Sequence, residues 1–407
     1  MPRSRGALIF FFSQGAYGLA TSIFDLVYAL HLLDLGISES RVGSIFLVGF
    51  LAMAAVVVPL GMLADRLGQG TGMWTSSLGF GLSMLAIPFV ESYGGQLAAF
   101  TAASVFSAIM LASATAVMAR LTPDERERLA VFRWGFVVFL LFSAAGALLG
   151  GWLADLFPGG NTQYQVTLVV AGVVGVVIGL SRLVLVAVEE VPAPPDEHAD
   201  VEVGAIRRFA GRAVAILLLA SFVGGFSVLG IRYINVILGD HFGVSVVSIG
   251  YVVTVDRLVS IAVVFMLIPL VRRTNEVVAA ALFMVAILPL QVVAGLASSA
   301  LLFAIPYLAT RGLYYSQAPI LDLVTNRHAP DRHKTLMNSV QRLGFFAGSG
   351  IAAQAYGALL GAGRFEETML VAGVLAALAA GVYLVAFTGA PQPEPAVRLR
   401  AEESRGA

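Results

Sequence analysis

The chain has 407 residues, of which 58% are hydrophobic and 12% charged, and its formal net charge is zero. Soluble domains carry about 25% charged residues, so most of this surface faces something other than water. The neutral balance argues against nucleic acid as a partner. The chain has no cysteine and five scattered histidines, so we expect no disulfide, no metal site, no cofactor and no catalytic cluster of an enzyme.

Twelve segments are long and apolar enough to cross a bilayer, which takes about 20 mostly apolar residues. They cover residues 7–33, 41–63, 72–93, 97–119, 131–154, 164–188, 213–238, 246–271, 276–297, 300–325, 336–360 and 367–388. The first runs too far for a signal peptide and no small-residue cleavage site closes it. The sequence therefore predicts an all-α protein that crosses the lipid bilayer twelve times.

Segment 189–212 is rich in proline and charge and separates the first six spans from the last six. It predicts an N-terminal six-helix bundle at 1–188, a cytoplasmic linker at 189–212, a C-terminal six-helix bundle at 213–388 and a disordered cytoplasmic tail at 389–407. With a cytoplasmic N-terminus, 17 of the 25 basic residues lie inside and two, Arg41 and Arg364, lie in external loops. Positive charge gathers on the cytoplasmic side, so we expect both termini to be cytoplasmic. We further expect a monomeric protein of the plasma (inner) membrane.

The two halves of the chain match each other at a shift of 207 residues. The shift aligns Gly36 with Gly243, Ser38 with Ser245, Gly43 with Gly250, and Pro123-Asp124 with Pro330-Asp331. Distant loops that agree on one offset, without a gap, indicate an internal repeat. Two six-helix halves related by an axis along the membrane normal are a recognised transporter layout, so we expect two pseudo-symmetric bundles.

A polar string, GMLADRLGQG, joins the second and third spans and contains Gly61, Asp65, Arg66 and Gly68. With twelve spans in two halves and a long central loop, the chain resembles the major facilitator superfamily over its whole membrane region. The string is similar to that family's most widespread motif, although the usual basic pair after the last glycine is missing. The resemblance implies that Asp65 engages helix ends and a nearby arginine, with Arg120 as candidate, and steadies the outward-facing state.

The resemblance also implies a central cavity lined by spans one, four, seven and ten. Drug–proton antiporters of the family typically carry an arginine within span four and a Gly-Pro pair in span five. Here span four has no charge and span five has glycines but no proline. This departure lowers the odds of a typical drug antiporter without excluding one.

Charged residues inside membrane spans are the sharpest functional signal in the sequence. Asp25 in span one and Arg232 in span seven superpose at the shift of 207, so we expect them to face each other near the extracellular mouth. Their attraction would strengthen as the mouth closes and water leaves. They would form an outer gate or, through Asp25, a proton-sensitive substrate contact; the alternative is that they reach into external water.

Asp256 and Arg257 lie near the middle of span eight, and Arg311 lies at mid-depth in span ten. We expect Asp256 to pair with one arginine and leave the other guanidinium free for a carboxylate, phosphate or sulfate. The alternative is a purely structural ion pair. Arg182 lies near the cytoplasmic end of span six, where we expect it to snorkel or cap a helix.

Further polar and aromatic side chains surround these charges and are candidates for the same site. The site candidates are Tyr28, Asn235, Tyr307, Tyr314 and Gln317, and Gln14, Tyr17, Tyr233 and Tyr315 surround the same charges. Tyr307, Arg311 and Tyr314 are spaced to share one helix face. The outer tyrosines could instead be anchors at the membrane interface.

These observations predict a secondary active transporter that moves a small organic solute by alternating access, coupled to protons. Asp25 is the first candidate proton carrier and Asp256 the second, and the arginines favour an anionic or zwitterionic substrate. No nucleotide-binding loop supports ATP hydrolysis. The alternatives are efflux of amphipathic or drug-like compounds by proton antiport, or a non-transporting receptor or assembly protein of the same fold.

Overall fold

The computed structural model describes residues 5–67, 69–121, 125–157, 161–186, 203–273, 275–328 and 334–387. Within these ranges the regular structure is entirely helical. The helices of 18 residues or more are α1 (Arg5–Asp34), α2 (Glu39–Leu67), α3 (Gln69–Ala86), α4 (Tyr93–Leu121), α5 (Glu125–Leu156), α6 (Asn161–Ser181), α7 (Val203–Arg232), α8 (Val246–Arg273), α9 (Glu276–Gly295), α10 (Ala300–His328), α11 (Lys334–Gly361) and α12 (Phe365–Phe387). They follow the order of the twelve predicted spans, and the all-α class is confirmed.

Ten of these helices are long and apolar enough to cross a membrane, judged on the described residues alone. The other two are α3, which is rich in glycine, serine and threonine, and α10, which carries Arg311 and several polar side chains. A helix that packs among other helices can carry such residues because they need not face lipid. The protein is therefore a multi-pass membrane protein in which α3 and α10 are the more polar members.

Helix α7 begins at Val203, inside the segment predicted as a linker. The first part of that segment, through residue 202, and the tail predicted at 389–407 lie outside the described residues. The residue boundaries of the two bundles, the linker and the tail thus stay a prediction.

The helix pairs that pack together follow the sequence repeat. In the first half α1 packs on α5 and α6, α3 packs on α4 and α6, and α2 packs on α4. In the second half α7 packs on α11 and α12, α9 packs on α10 and α12, and α8 packs on α10. The halves meet where α2 packs on α11 and where α8 packs on α5. Each helix pair of the first half has a counterpart in the second half, six helices further along the chain. The fold therefore consists of two pseudo-symmetric six-helix bundles, as predicted.

Equivalent glycines of the repeat make the same turn. Gly36 precedes α2 with φ +76°, and Gly243 precedes α8 with φ +65°. Glycine adopts this left-handed conformation without the steric cost that a Cβ brings. The match found at the shift of 207 therefore reports a backbone requirement common to both halves.

The halves touch closely at the end of the molecule that carries the α1–α2 turn, which we name the loop-1 end. A Cβ on Gly43 of α2 would lie 2.8 Å from the carbonyl oxygen of Ala353 in α11. The same carbonyl accepts a hydrogen bond from the Tyr233 hydroxyl at 2.7 Å, and Ser44 Oγ donates to Gln354 Oε1 at 2.8 Å. The loop-1 end, predicted to be extracellular, is therefore closed.

The α5–α8 contact repeats this arrangement on the other side of the molecule. A Cβ on Gly250 would lie 2.8 Å from the carbonyl oxygen of Ala147. The Thr254 hydroxyl donates to the Ala144 carbonyl at 3.1 Å. Small residues let the two backbones approach this closely, so both inter-half seams depend on them.

Candidate functional site

A cavity of about 460 Å³ lies between the two halves. The first half contributes α1, α2, α4 and α5 to its wall, and the second half contributes α7 and α11. Its lining residues are Gln14, Tyr17, Asp25, Phe50, Leu111, Gly135, Phe136, Phe139, Ser227, Val228, Ile231, Arg232, Phe345 and Ser349. The volume lies in the range of small-molecule sites, about 300–1,000 Å³, and the wall is largely aromatic and apolar with a few polar groups.

Asp25 of α1 and Arg232 of α7 form an ion pair in the wall of this cavity. The side chains remain 18% and 17% exposed, respectively. The Arg232 guanidinium carbon also lies 5.4 to 5.8 Å from the ring centroids of Phe46, Phe50 and Phe100. These distances allow cation–π attraction. Arg232 of the second half is thus held by an acid and an aromatic cage of the first.

Asn235 strengthens the same junction. Helix α7 ends at Arg232, and the buried Asn235 side chain then turns toward α1. Its Nδ2 donates to the backbone carbonyls of Asp25 at 3.2 Å and Leu26 at 2.7 Å. Asn235 therefore ties the broken end of α7 to the backbone of α1.

Tyr28 belongs to the core of the first half and is not among the residues that line the described cavity. Its hydroxyl donates to Gln96 Oε1 at 3.3 Å. Its ring stacks on Phe24 and on Phe100 with centroid distances of 4.5 and 5.4 Å. Tyr28 thus packs against Phe100, one of the three rings around Arg232, and helps to hold it in place.

Asp256 of α8 is fully buried and contacts both predicted arginines. Its Oδ2 accepts from Arg257 Nη1 at 3.0 Å and its Oδ1 accepts from Arg311 Nε at 3.3 Å. The prediction that one guanidinium stays free of the acid was wrong, because each carboxylate oxygen engages a different arginine. Two cations share one anion, so the cluster keeps one surplus positive charge.

Tyr315 completes this cluster; the sequence placed it among the residues around the charges but did not predict this role. Its hydroxyl accepts hydrogen bonds from Arg257 Nη1 and, at 2.8 Å, from Arg311 Nη2. Its ring lies 6.3 Å from that of Phe136, which lines the cavity. The signal that could have found it is spacing, because Tyr315 lies four residues after Arg311 on the same helix.

Arg311 itself packs behind the cavity wall and is 1% exposed. The resemblance placed span ten in the wall, yet α10 contributes none of the described lining residues. The glycine of α7 at position 230 makes room for Arg311, because a Cβ there would lie 2.7 Å from its Cδ. The Tyr307 hydroxyl donates to the Gly230 carbonyl at 3.1 Å, and Tyr314 lies against the Arg311 guanidinium at 5.2 Å.

The cluster approaches the cavity through Tyr315, whose ring lies beside Phe136 of the wall, but neither Tyr315 nor Arg257 is among the described lining residues. The Arg257 side chain keeps 8% exposure and Tyr315 is partly exposed. Gln317, one helical turn beyond Tyr314, is fully buried, and its two amide atoms have no hydrogen-bond partner among the described residues.

Arg182, which immediately follows α6, is fully buried. Its Nε donates to Ser13 Oγ at 3.1 Å, its Nη1 to Ser77 Oγ at 2.7 Å and its Nη2 to Gln14 Oε1 at 3.2 Å. The prediction that Arg182 snorkels or caps at the membrane surface was wrong, because α1, α3 and α6 enclose it. It is a third buried cation near the cavity.

The GMLADRLGQG string lies at the end of α2 and the start of α3. The backbones of Gly61, Asp65 and Arg66 lie in α2 and that of Arg120 lies in α4. The side chains of these residues and the whole of Gly68 lie outside the described part of the chain. Their proposed conformational role stays a prediction.

Solved transporters share this fold along nearly the whole chain. A bacterial homologue of the human lysosomal transporter Spinster, in an inward-facing and unoccupied conformation, aligns with a TM-score of 0.75 at 15% identity, over 94% of this chain and 96% of its own. The nucleoside transporter NupG aligns with a TM-score of 0.70 at 11% identity, over 94% and 99%. A POT family transporter in complex with 5-aminolevulinic acid aligns with a TM-score of 0.72 at 15% identity, over 95% and 96%.

These identities are low, so the likeness shows the fold and leaves the substrate open. No curated protein matches the sequence significantly. The sequence model described as the Major Facilitator Superfamily matches residues 10–328, which is well over half of the chain. Members of this family are membrane transporters rather than enzymes. With two pseudo-symmetric bundles around a central cavity and a family match over most of its length, the chain belongs to the Major Facilitator Superfamily.

Proposed function

We propose that this protein is a secondary active transporter of a small organic anion or zwitterion, which it moves across the plasma membrane by alternating access. The observation that carries the proposal is the surplus positive charge of the Asp256–Arg257–Arg311 cluster beside a cavity of about 460 Å³. Guanidinium groups bind carboxylate and phosphate through paired, charge-assisted hydrogen bonds. Both termini are cytoplasmic in this proposal, and the transporter acts as a monomer.

The substrate's acidic group binds where the cluster borders the cavity, at Arg257 and Tyr315. The Tyr315 hydroxyl accepts from both guanidiniums, so its own O–H is left to donate to a substrate oxygen. Asp256 and Arg311 lie deeper and hold these two groups in place. The site thus offers an anion one hydroxyl donor and one partly exposed cation.

Alternating access is supported by the position of the closed seam. The halves are joined at the loop-1 end by the Asp25–Arg232 ion pair and by Asn235, and the cavity lies next to this junction. Opening the loop-1 end requires that these contacts separate in water, where an ion pair is weak. Asp25 and Arg232 then act as the gate of that end.

Proton coupling is assigned to Asp25 rather than to Asp256. Asp25 lines the cavity and has one ion-pair partner among the described residues, so a proton can reach it. Asp256 is fully buried and held by two arginines, so protonating it requires that both contacts break. A neutral Asp25 no longer attracts Arg232, which would link proton binding to the opening of the gate.

A binding screen tests the anion site. Purified wild type and Arg311→Gln are heated with a library of organic anions, lipophilic cations and neutral amphiphiles. A ligand that binds the folded state raises the melting temperature in proportion to RT ln(1 + [L]/Kd). We expect organic anions to stabilise wild type and not Arg311→Gln. Stabilisation by cations or neutral amphiphiles alone, equal in both proteins, would contradict the proposal.

Transport in proteoliposomes tests the proton carrier. In Asp25→Asn we expect accumulation driven by a pH gradient to be lost, while exchange of labelled for unlabelled substrate continues, because exchange needs no net proton movement. Asp155→Asn, which changes an exposed acid at the end of α5, is the matched control and should behave as wild type. Gradient-driven accumulation by Asp25→Asn at the wild-type rate would remove Asp25 from this role.

Efflux of amphipathic compounds is the second candidate function. It is favoured by the aromatic side chains of the cavity wall, which suit flat or apolar molecules. They are Tyr17, Phe50, Phe136, Phe139 and Phe345. The binding screen separates the two candidates, because only the anion proposal requires Arg311.

A further inference from the structure

The first half of the molecule also holds a buried cation close to the cavity. The three guanidinium nitrogens of Arg182 bond to Ser13, Ser77 and Gln14, which are all neutral. Among the described residues no carboxylate pairs with Arg182. A buried charge without an opposite charge is costly, and neutral side chains could join the same helices by hydrogen bonds. The charge itself therefore requires an explanation.

The surroundings of Arg182 hold the charge in a defined place. The residue directly follows α6. Its partners belong to α1 and α3, so three helices fix the guanidinium. A cation fixed in this way produces a positive electrostatic potential at the cavity wall of the first half.

Gln14 lies between Arg182 and the cavity, since it bonds to the one and lines the other. Its Oε1 accepts from Arg182 Nη2 at 3.2 Å, which identifies the other end of the amide as the NH₂ group. Gln14 lines the cavity, so that NH₂ group is the donor it can offer to a ligand. A donor whose own oxygen is bound to a cation is polarised and becomes a stronger donor.

We propose that the substrate is a dianion whose two acidic groups bind on opposite halves. One binds at Arg257 and Tyr315 in the second half, as in the proposed function on which this inference rests. The other accepts from the Gln14 amide, backed by Arg182, in the first half. Asp25 and Arg232 neutralise each other across the two halves, which leaves one positive charge at Arg182 and one at the Asp256 cluster among the described residues discussed above, and a dianion balances both. The rings of Tyr17 and Phe139, which line the same cavity, suit an apolar or aromatic spacer.

Matched acids and esters test the second acidic group. The probes are α,ω-dicarboxylates of increasing length with their monomethyl esters, and terephthalate with benzoate, each titrated against the purified full chain. We expect at least one dicarboxylate to bind about 10- to 100-fold more tightly than its monoester, the range expected for one charge-assisted hydrogen bond. Equal binding of every acid and its monoester to wild type would overturn the inference while leaving the anion site intact.

Two substitutions of Gln14 test where that group binds. Gln14→Glu keeps the shape and the contact with Arg182 but cancels its charge and removes the donor, and Gln14→Leu removes both the donor and the oxygen that accepts from Arg182 Nη2. We expect both variants to lose the preference for the diacid over its monoester. A preference that survives in folded Gln14→Glu and Gln14→Leu would make Arg182 a structural brace and overturn the inference. Failure of all organic anions to bind wild type would instead defeat the proposed function itself.

Discussion

Gly230 decides where the Arg311 guanidinium lies. A Cβ at this position would come within 2.7 Å of both Cδ and Nη1 of Arg311. The glycine lets the arginine cross the face of α7 and reach Asp256 and Tyr315. Tyr307 holds the Gly230 carbonyl from α10. One missing methyl group thus positions a buried charge.

Gly230→Ala should displace Arg311 and weaken binding of organic anions by about tenfold or more, since overpacking a core costs about 1–3 kcal/mol. The melting temperature of the ligand-free protein should fall as well. Thermal-shift titration with the anions that stabilise wild type measures both effects. Gly135→Ala is the control, because a Cβ there meets no atom within 4 Å although Gly135 lines the cavity. Unchanged binding by Gly230→Ala would show that Arg311 needs no such space.

At the scale of elements, the closed loop-1 end brings two acids of different halves together. Glu39 begins α2, and Asp240 lies in the π-helical turn Ile237–His241 that follows α7. Both line a smaller cavity of about 190 Å³. Partial burial and, secondly, the Glu39 carboxylate raise the pKa of Asp240 above its usual value. The closed state therefore holds a proton on Asp240 more tightly than the open, solvated state does.

The sign of the pH effect follows from this raised pKa. Closure is disfavoured while Asp240 is ionised and becomes more favourable as the pH falls through the raised pKa. Asp240→Asn removes the penalty, so at neutral pH it should already show the closed population that wild type reaches only in acid. Direction alone is predicted, because exposed charges are screened by water.

Cysteine labelling measures this closure, since the chain has no cysteine of its own. A membrane-impermeant maleimide should label Ile231→Cys, in the cavity wall, more slowly in the Asp240→Asn background than in wild type. Rates are divided by those of Glu91→Cys, an exposed reference site. Asp34→Asn, an exposed acid at the same end, should leave the rate unchanged. A faster rate in Asp240→Asn would contradict the argument.

At the scale of the whole molecule, transport requires the two bundles to part at the loop-1 end. The α2–α11 seam includes Ser44 Oγ, which donates to Gln354 Oε1 at 2.8 Å, and Gln354 Nε2, which donates to the Ser40 carbonyl at 3.4 Å. If access alternates, these groups must separate once in every cycle. A covalent link between them should then hold the protein closed.

The double variant Ser44→Cys/Gln354→Cys tests this requirement. Treatment with a short bis-thiosulfonate reagent should abolish transport in proteoliposomes, and a reductant should restore it. Each single variant, treated in the same way, controls for simple modification of a thiol. Transport that continues at the untreated rate in fully linked protein would rule out separation at this seam.

Asp25 and Arg232 are the site contact that the sequence predicted. Because the halves repeat at an interval of 207 residues, equivalent residues of α1 and α7 lie across one axis, and the structure joins this pair. Tyr315, Gly230 and Arg182 could not be assigned in this way. Their roles depend on contacts with residues such as Asp256, Arg311 and Gln14, which are near in space but have no fixed spacing in the chain.

Apolar segments of membrane length, the repeat and the GMLADRLGQG string were enough to determine the helical class, the order of the helices and the family. These properties are local or periodic, because a bilayer requires each spanning segment to be apolar and to satisfy its own backbone. Only the tertiary structure decided that Asp256 engages two arginines and that Arg182 is buried with no acid paired to it among the described residues. Hydrogen-bond partners and burial belong to the packing of several helices, and packing depends on side-chain shape in three dimensions.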